Sequence, residues 1–211
     1  MTTATRHRPS AATSGLIAAA LCLSLSACSA TPGTITAPTA AEQTTDAGEV
    51  GESDVHNDAD TQFARLMIVH HEGALEMSEL AVRQAATEEV RALAERIADA
   101  QDPEIVLMTG WLEAWGEDRA ADAEHGAMDH GGTQVEGLSQ DEAMEVLSGL
   151  EGRDFDRSFL DLMTAHHGGA IEMAEAQRTD GQNIEARDLA ARIVADQTRE
   201  VSEMEALLEG L

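Results

Sequence analysis

Tyrosine and lysine are missing from the 211 residues, and the aromatic complement stops at two tryptophans and three phenylalanines. A core must then be built from leucine, isoleucine, alanine and methionine. Cysteine occurs only as Cys22 and Cys28, both near the amino terminus, a supply that fits neither a disulfide framework nor a thiolate metal site. Basic residues number 13 against 40 acidic ones, a formal charge of -27. Such a surface repels nucleic acid and anionic lipid heads and attracts cations. No strand pattern is evident and no glycine-rich phosphate loop follows one. Serines and threonines fall at caps, in a polar tether or on helix surfaces, so hydrolase, kinase and nucleotide-binding readings have no support, and an enzyme is not expected.

Long apolar runs are scarce too. Arg6, His7 and Arg8 precede a single stretch from about Gly15 to Leu25, which leads into Leu25-Ser26-Ala27-Cys28. The run is shorter than the ~20 residues a membrane span requires. A basic start, a short apolar middle and small residues before a cysteine predict a lipoprotein signal peptide over residues 1–27. Cys28 then becomes the lipidated first residue, and the chain is exported and held by its lipid on the outer face of the cell membrane. Cys22 leaves with the signal. Two arginines and no acid are lost with it, which takes the charge from -27 to -29. Residues 28–58, rich in Ala, Thr, Gly, Pro and acids, form a flexible tether. The remaining stretch, 59–211, is long enough for one domain with its own core.

What is present in that stretch is present twice. Residues 60–79 (DTQFARLMIVHHEGALEMSE) return at 156–175 (DRSFLDLMTAHHGGAIEMAE), with about half of the positions identical. One ungapped offset of 96 carries Phe63, Met67, His70, His71, Glu76 and Met77 onto Phe159, Met163, His166, His167, Glu172 and Met173. The same offset takes Leu93, Ile97, Gln101, Glu104, Met108 and Leu112 onto Leu189, Ile193, Gln197, Glu200, Met204 and Leu208. In each copy the apolar residues recur at i, i+3, i+4 and i+7, the stripe of an amphipathic helix. The pattern predicts helices over about 60–85, 88–115, 153–178 and 184–209, with a kink or local opening at Pro103. The first hairpin takes residues 59–116 and the second 153–211. The linker, 117–152, carries a short helix near Ser139 to Leu147, with Ser139 as N-cap and Glu142 completing a capping box. Neither hairpin can hide its apolar face alone, so the two pack as an all-α four-helix bundle with a pseudo-twofold axis. Gly73 and Gly169 weaken their helices unless something approaches closely there.

His70 and His166 stand in the apolar stripe, and His71 and His167 lie about 100° further round. Gln101, Glu104, Gln197 and Glu200 occupy stripe positions on the partner helices. Buried without partners, such groups cost several kcal/mol, about 2–7 each, so they must meet one another, water or an ion. The pseudo-twofold axis should gather the four imidazoles, the thioethers of Met67, Met77, Met163 and Met173, and two carboxylates into one region. Imidazole suits Cu(II), and thioether selects Cu(I), so the combination points at copper. The tract His125-Gly-Ala-Met128-Asp-His130 is a second candidate for loose copper capture. The same residues also admit a plain reading, a His–Glu–Gln hydrogen-bond network that fixes helix register, with Met as gap filler.

The doubled F-x-x-x-M-x-x-H-H-x-x-A-[IL]-x-M pattern, each copy followed by I-x-x-x-Q-x-x-E-[IV]-x-x-M, resembles the domain of unknown function 305 family over about residues 60–209. That resemblance implies a ferritin-like helical bundle, usually exported, with copper-binding members. Carried over by position, the implied metal residues are Met67, His70, His71, Met77, Met163, His166, His167 and Met173, with Glu104 and Glu200. Many members carry a denser methionine tract between the copies than the single Met128. The expectation is a non-enzymatic copper-binding lipoprotein that buffers copper or passes it on, with metal ion and membrane lipid as its partners, no nucleic acid, and room for homo-oligomers. The alternatives are a di-iron or di-manganese oxidase or peroxidase and a structural or interaction bundle. The oxidase wants Glu-x-x-His pairs, and the residues three before the four histidines are Met67, Ile68, Met163 and Thr164.

Overall fold

The computed structural model describes residues 55–119 and 137–211. The expected signal peptide, Cys28 and most of the expected tether lie outside the described residues, as do His125, Met128 and His130. Among the described residues five helices follow in order: α1 (Asp58–Gln84), α2 (Glu88–Trp115), α3 (Gln140–Ser148), α4 (Gly152–Asp180) and α5 (Ile184–Gly210). No strand occurs among the described residues, and none of their helices is long and apolar enough to cross a membrane.

Each long helix begins or ends where the local chemistry dictates. Asn57 caps α1 with a complete capping box: its side chain accepts from the Asp60 amide, and its own amide donates to Asp60 at 2.8 Å. Gly116, with φ 72°, ends α2 in a left-handed turn that only glycine adopts without strain. Helix α2 runs unbroken through Pro103, so the opening expected there does not interrupt the element. Ser139 and Glu142 form the capping box anticipated for α3.

Helices α1 and α2 form one antiparallel hairpin and α4 and α5 the other, with α1 packed along α4 at the centre. The core divides into two clusters. One takes Ala74, Met77 and Ala81 from α1, Leu93 and Ile97 from α2, and Phe155, Phe159 and Met163 from α4. The other takes Phe63, Met67 and Ile68 from α1, Ala170 and Ala174 from α4, and Leu189 and Ile193 from α5. The carboxyl half of α1 thus meets the amino half of α4, and the reverse holds at the other end, so the two central helices run antiparallel. The offset of 96 turns one cluster into the other, which is the pseudo-twofold written in side chains. Both clusters break off at the histidine pairs.

Two carboxylates tie the hairpins together. Asp60, at the start of α1, accepts from the amides of Gln182 and Asn183 in the α4–α5 turn, each at 3.0 Å, and from the Gln177 side chain. Asp156, at the start of α4, accepts from the amides of Ala86 and Thr87 in the α1–α2 turn at 2.8 and 2.9 Å. Both aspartates are fully buried. Every partner amide in one clasp maps onto the other through the same offset. Gly181 is confined by this packing, since a Cβ there would strike the Gln177 side chain and lie 2.7 Å from Asp60 Oδ1.

The close approach at Gly73 comes from α3 rather than from a partner core helix. A Cβ would lie 2.8 Å from Gln140 Oε1. Gln140 Nε2 donates to the Gly73 carbonyl at 3.0 Å and to Glu76 at 3.1 Å, while Ala143 and Leu147 of α3 seal the first cluster.

Candidate metal centre

The break between the two apolar clusters is filled by imidazole. His70 on α1 and His166 on α4 meet where the central helices pass each other, with ring centroids 3.6 Å apart and planes tilted by 43°. Both are buried, and the rings of His71 and His167 are wholly so. His71 Nε2 lies 2.8 Å from Glu104 Oε2 on α2, and His167 Nε2 lies 2.7 Å from Glu200 Oε2 on α5. The carboxylates stand at the rim, 22% and 16% exposed.

Burial first, and then the nearness of His71 and His167, pushes the His70 imidazole from its ordinary 6.5 down to about 3. Burial likewise drives His166 well below its usual range, reinforced by His70, His167 and His71 and opposed by a hydrogen bond to the His70 backbone. Both rings are therefore neutral at physiological pH, the form that binds metal. Nδ1 of His70, His71, His166 and His167 is in every case buried without a hydrogen-bond partner. Four buried nitrogens left unpartnered at one level of the bundle would be costly in a purely structural core. Gln101, with both side-chain polar atoms unpartnered, and Gln197, with its Oε1 unpartnered, add to the set.

The sulfur atoms are spread more widely than the sequence pattern implies. Met77 and Met163 belong to the first cluster together with Met204; Met67 and Met108 belong to the second, with Met173 packed half-buried against it. Met67 and Met163 lie one turn from His70 and His166. Met77 and Met173 lie seven residues on, roughly 10 Å along the helix axis at 1.5 Å per residue. The thioethers thus fall into two matched groups, one in each apolar cluster. Met108 and Met204, paired by the repeat but not among the metal candidates named from sequence, complete the groups, and Thr164 Oγ1 lies 3.7 Å from Met204 Sδ. Their signal was their place in the repeat.

Among the described residues, no group of three or more His, Cys, Asp or Glu is gathered closely enough to hold an ion. The donors form a contacting ring pair, two imidazole–carboxylate dyads and flanking thioethers, not a closed cage. The fit to a soft or borderline cation rests on the four unpartnered nitrogens and on the nitrogen and sulfur character of the set.

A family model described as Domain of unknown function (DUF305) matches residues 60–208. Among solved structures, the chain is similar to a DUF305 protein of Streptomyces coelicolor described as secreted, at 34% identity and a TM-score of 0.65, covering 72% of this chain and 91% of that one. A DUF305 fragment from Deinococcus radiodurans matches at 28% identity and a TM-score of 0.64, covering 74% and 98%. CopM in its Cu(I)-bound form matches at 28% identity and a TM-score of 0.58, covering 72% and 96%; CopM is also solved with Cu(II) and with Ag bound. No curated protein matches the chain.

Proposed function

Because the chain belongs to the DUF305 family, we propose that it is an exported, non-enzymatic protein that takes up copper ions between its two hairpins and buffers them or passes them on. The observation that carries this reading is the layer of four buried imidazoles whose Nδ1 atoms have no protein partner. His70, His71, His166 and His167 supply nitrogen, which suits Cu(II); Met67 and Met163, one turn away, supply thioethers, which select Cu(I). Met77 and Met173 are the outer members of the same sulfur groups. Copper-bound structures of CopM, 26% to 28% identical to this chain, support a cation of this kind. The description of the Streptomyces relative as a secreted protein supports export. A lipid at Cys28, as the Leu25-Ser26-Ala27-Cys28 stretch implies, would keep the bundle at the cell surface. Thioether ligands hold Cu(I) outside the cell without the disulfide chemistry a thiol invites.

Titration of the protein with Cu(I), Cu(II), Zn(II) and Fe(II), for wild type and a His70→Ala/His166→Ala variant, tests the proposal. Tight copper binding that weakens at least about a hundredfold in the variant is expected, two ligands being lost. Unchanged copper affinity would end it. The two His–Glu dyads favour a second reading, in which imidazole and carboxylate only hold the helices in register. A wild type that recovers no metal and gains no thermal stability from copper would establish that one instead.

A further inference from the structure

The two carboxylates among the sequence candidates sit on the wrong edge of the imidazole to share a metal with it. Glu104 meets His71 at Nε2, and Glu200 meets His167 at Nε2, whereas the unpartnered nitrogens are the Nδ1 atoms. We propose that Glu104 and Glu200 are positioning residues for the copper site, orienting His71 and His167 and biasing the site toward Cu(II), and are not themselves ligands. The proposal rests on the copper-binding reading above.

An ionised carboxylate only accepts hydrogen bonds, so the ring nitrogen facing it carries the proton. In the neutral imidazole that leaves Nδ1 with its lone pair, ready to coordinate. The two ring nitrogens point in diverging directions, so an ion held by Nδ1 lies away from the carboxylate that holds Nε2. A hydrogen bond from the distal N–H of a ligating histidine to a carboxylate fixes the ring and raises its donor strength. The added negative charge, in a setting where His71 and His167 are fully buried, stabilises a divalent ion more than a monovalent one. Both dyads span the same sequence separation of 33 residues, which the duplication preserved with the histidines. The carboxylates remain partly exposed, so each keeps some hydration and its charge is tolerated at the rim.

The test uses the full exported protein with Glu104→Gln and Glu200→Gln, singly and together, because the amide keeps the shape and can still accept from Nε2. Cu(II) and Ag(I), the latter as a monovalent probe that does not change oxidation state, are titrated in parallel, with circular dichroism and thermal melting as checks on the fold. In the double variant Cu(II) affinity should fall about 10- to 100-fold while Ag(I) affinity holds. The Cu(II) electron paramagnetic resonance spectrum should keep the wild-type donor set. Cu(II) affinity that is unchanged, or that falls in step with Ag(I) affinity and melting temperature, overturns the positioning role. So does a spectrum showing that an oxygen donor has been lost. These outcomes differ from failure of the parent reading, in which wild-type protein binds no copper or binds it independently of His70 and His166.

Discussion

His70 governs how the interior responds to acid. Its pKa is the ordinary 6.5 in the unfolded chain and about 3 in the folded one, and His166 is displaced in the same direction. Below pH 6.5 the unfolded chain therefore binds protons that the folded interior refuses. Stability from this source is full above that pH and is lost progressively as the pH falls toward 3. The limiting slope is about 1.4 kcal/mol per pH unit for each histidine. Urea unfolding of chelator-treated protein between about pH 7 and pH 5, where most carboxylates stay ionised, should show this loss. His70→Gln/His166→Gln should flatten the slope, since neither replacement titrates. A slope that persists in the double variant would assign the acid response to other groups.

At the level of elements, α3 is the weakest member and the easiest to perturb alone. Nine residues cannot sustain a helix in water without caps and packing. Ser139 and Glu142 close its amino end, and the bonds from the Ser139 backbone and then its hydroxyl hold the Glu142 carboxyl below its ordinary range. Ser139→Ala should cost about 1 kcal/mol. Amide exchange over residues 143–148 should quicken about fivefold, with little change in the long helices; equal quickening throughout the bundle would show that α3 opens only with the whole domain. This helix also marks the line between what sequence disclosed and what it did not. The capping box and the apolar stripes of the long helices were legible, because each rests on spacing within one element. The seat of Gln140 on Gly73 was not, since it joins residues 67 apart with no shared period. The copper candidates show the same division. His70 and His166 were legible as partners because the duplication forces them onto one axis. The separation of the methionines into two groups was not, since it follows from the antiparallel passage of α1 and α4. Glu104 and Glu200 were found as candidates, but only geometry tells which ring nitrogen each faces.

At the scale of the whole molecule, the two hairpins are held by paired clasps at opposite ends and by the imidazole layer midway between them. Asp60 and Asp156 are separated by nearly the length of α1, roughly 35 Å at 1.5 Å per residue. Each receives two backbone amides from the other hairpin's turn. Replacing either aspartate by alanine strands those amides, a loss of about 2–3 kcal/mol by the usual worth of hydrogen bonds to a charged group. Sites so far apart, with no shared partner, should lose stability additively. The Asp60→Ala/Asp156→Ala double variant is then weakened by about 5 kcal/mol, close to the whole stability of a marginal domain. Chemical unfolding of the singles and the double measures the sum; a double effect far from additive would mean that the clasps report on one shared docking step. Copper separates these cases further. Where the double variant remains folded, local clasps should leave copper affinity near that of wild type, because the imidazole layer keeps its own contacts. A copper affinity that falls with each clasp removed would show instead that the hairpins must be drawn together before His70 and His166 can meet.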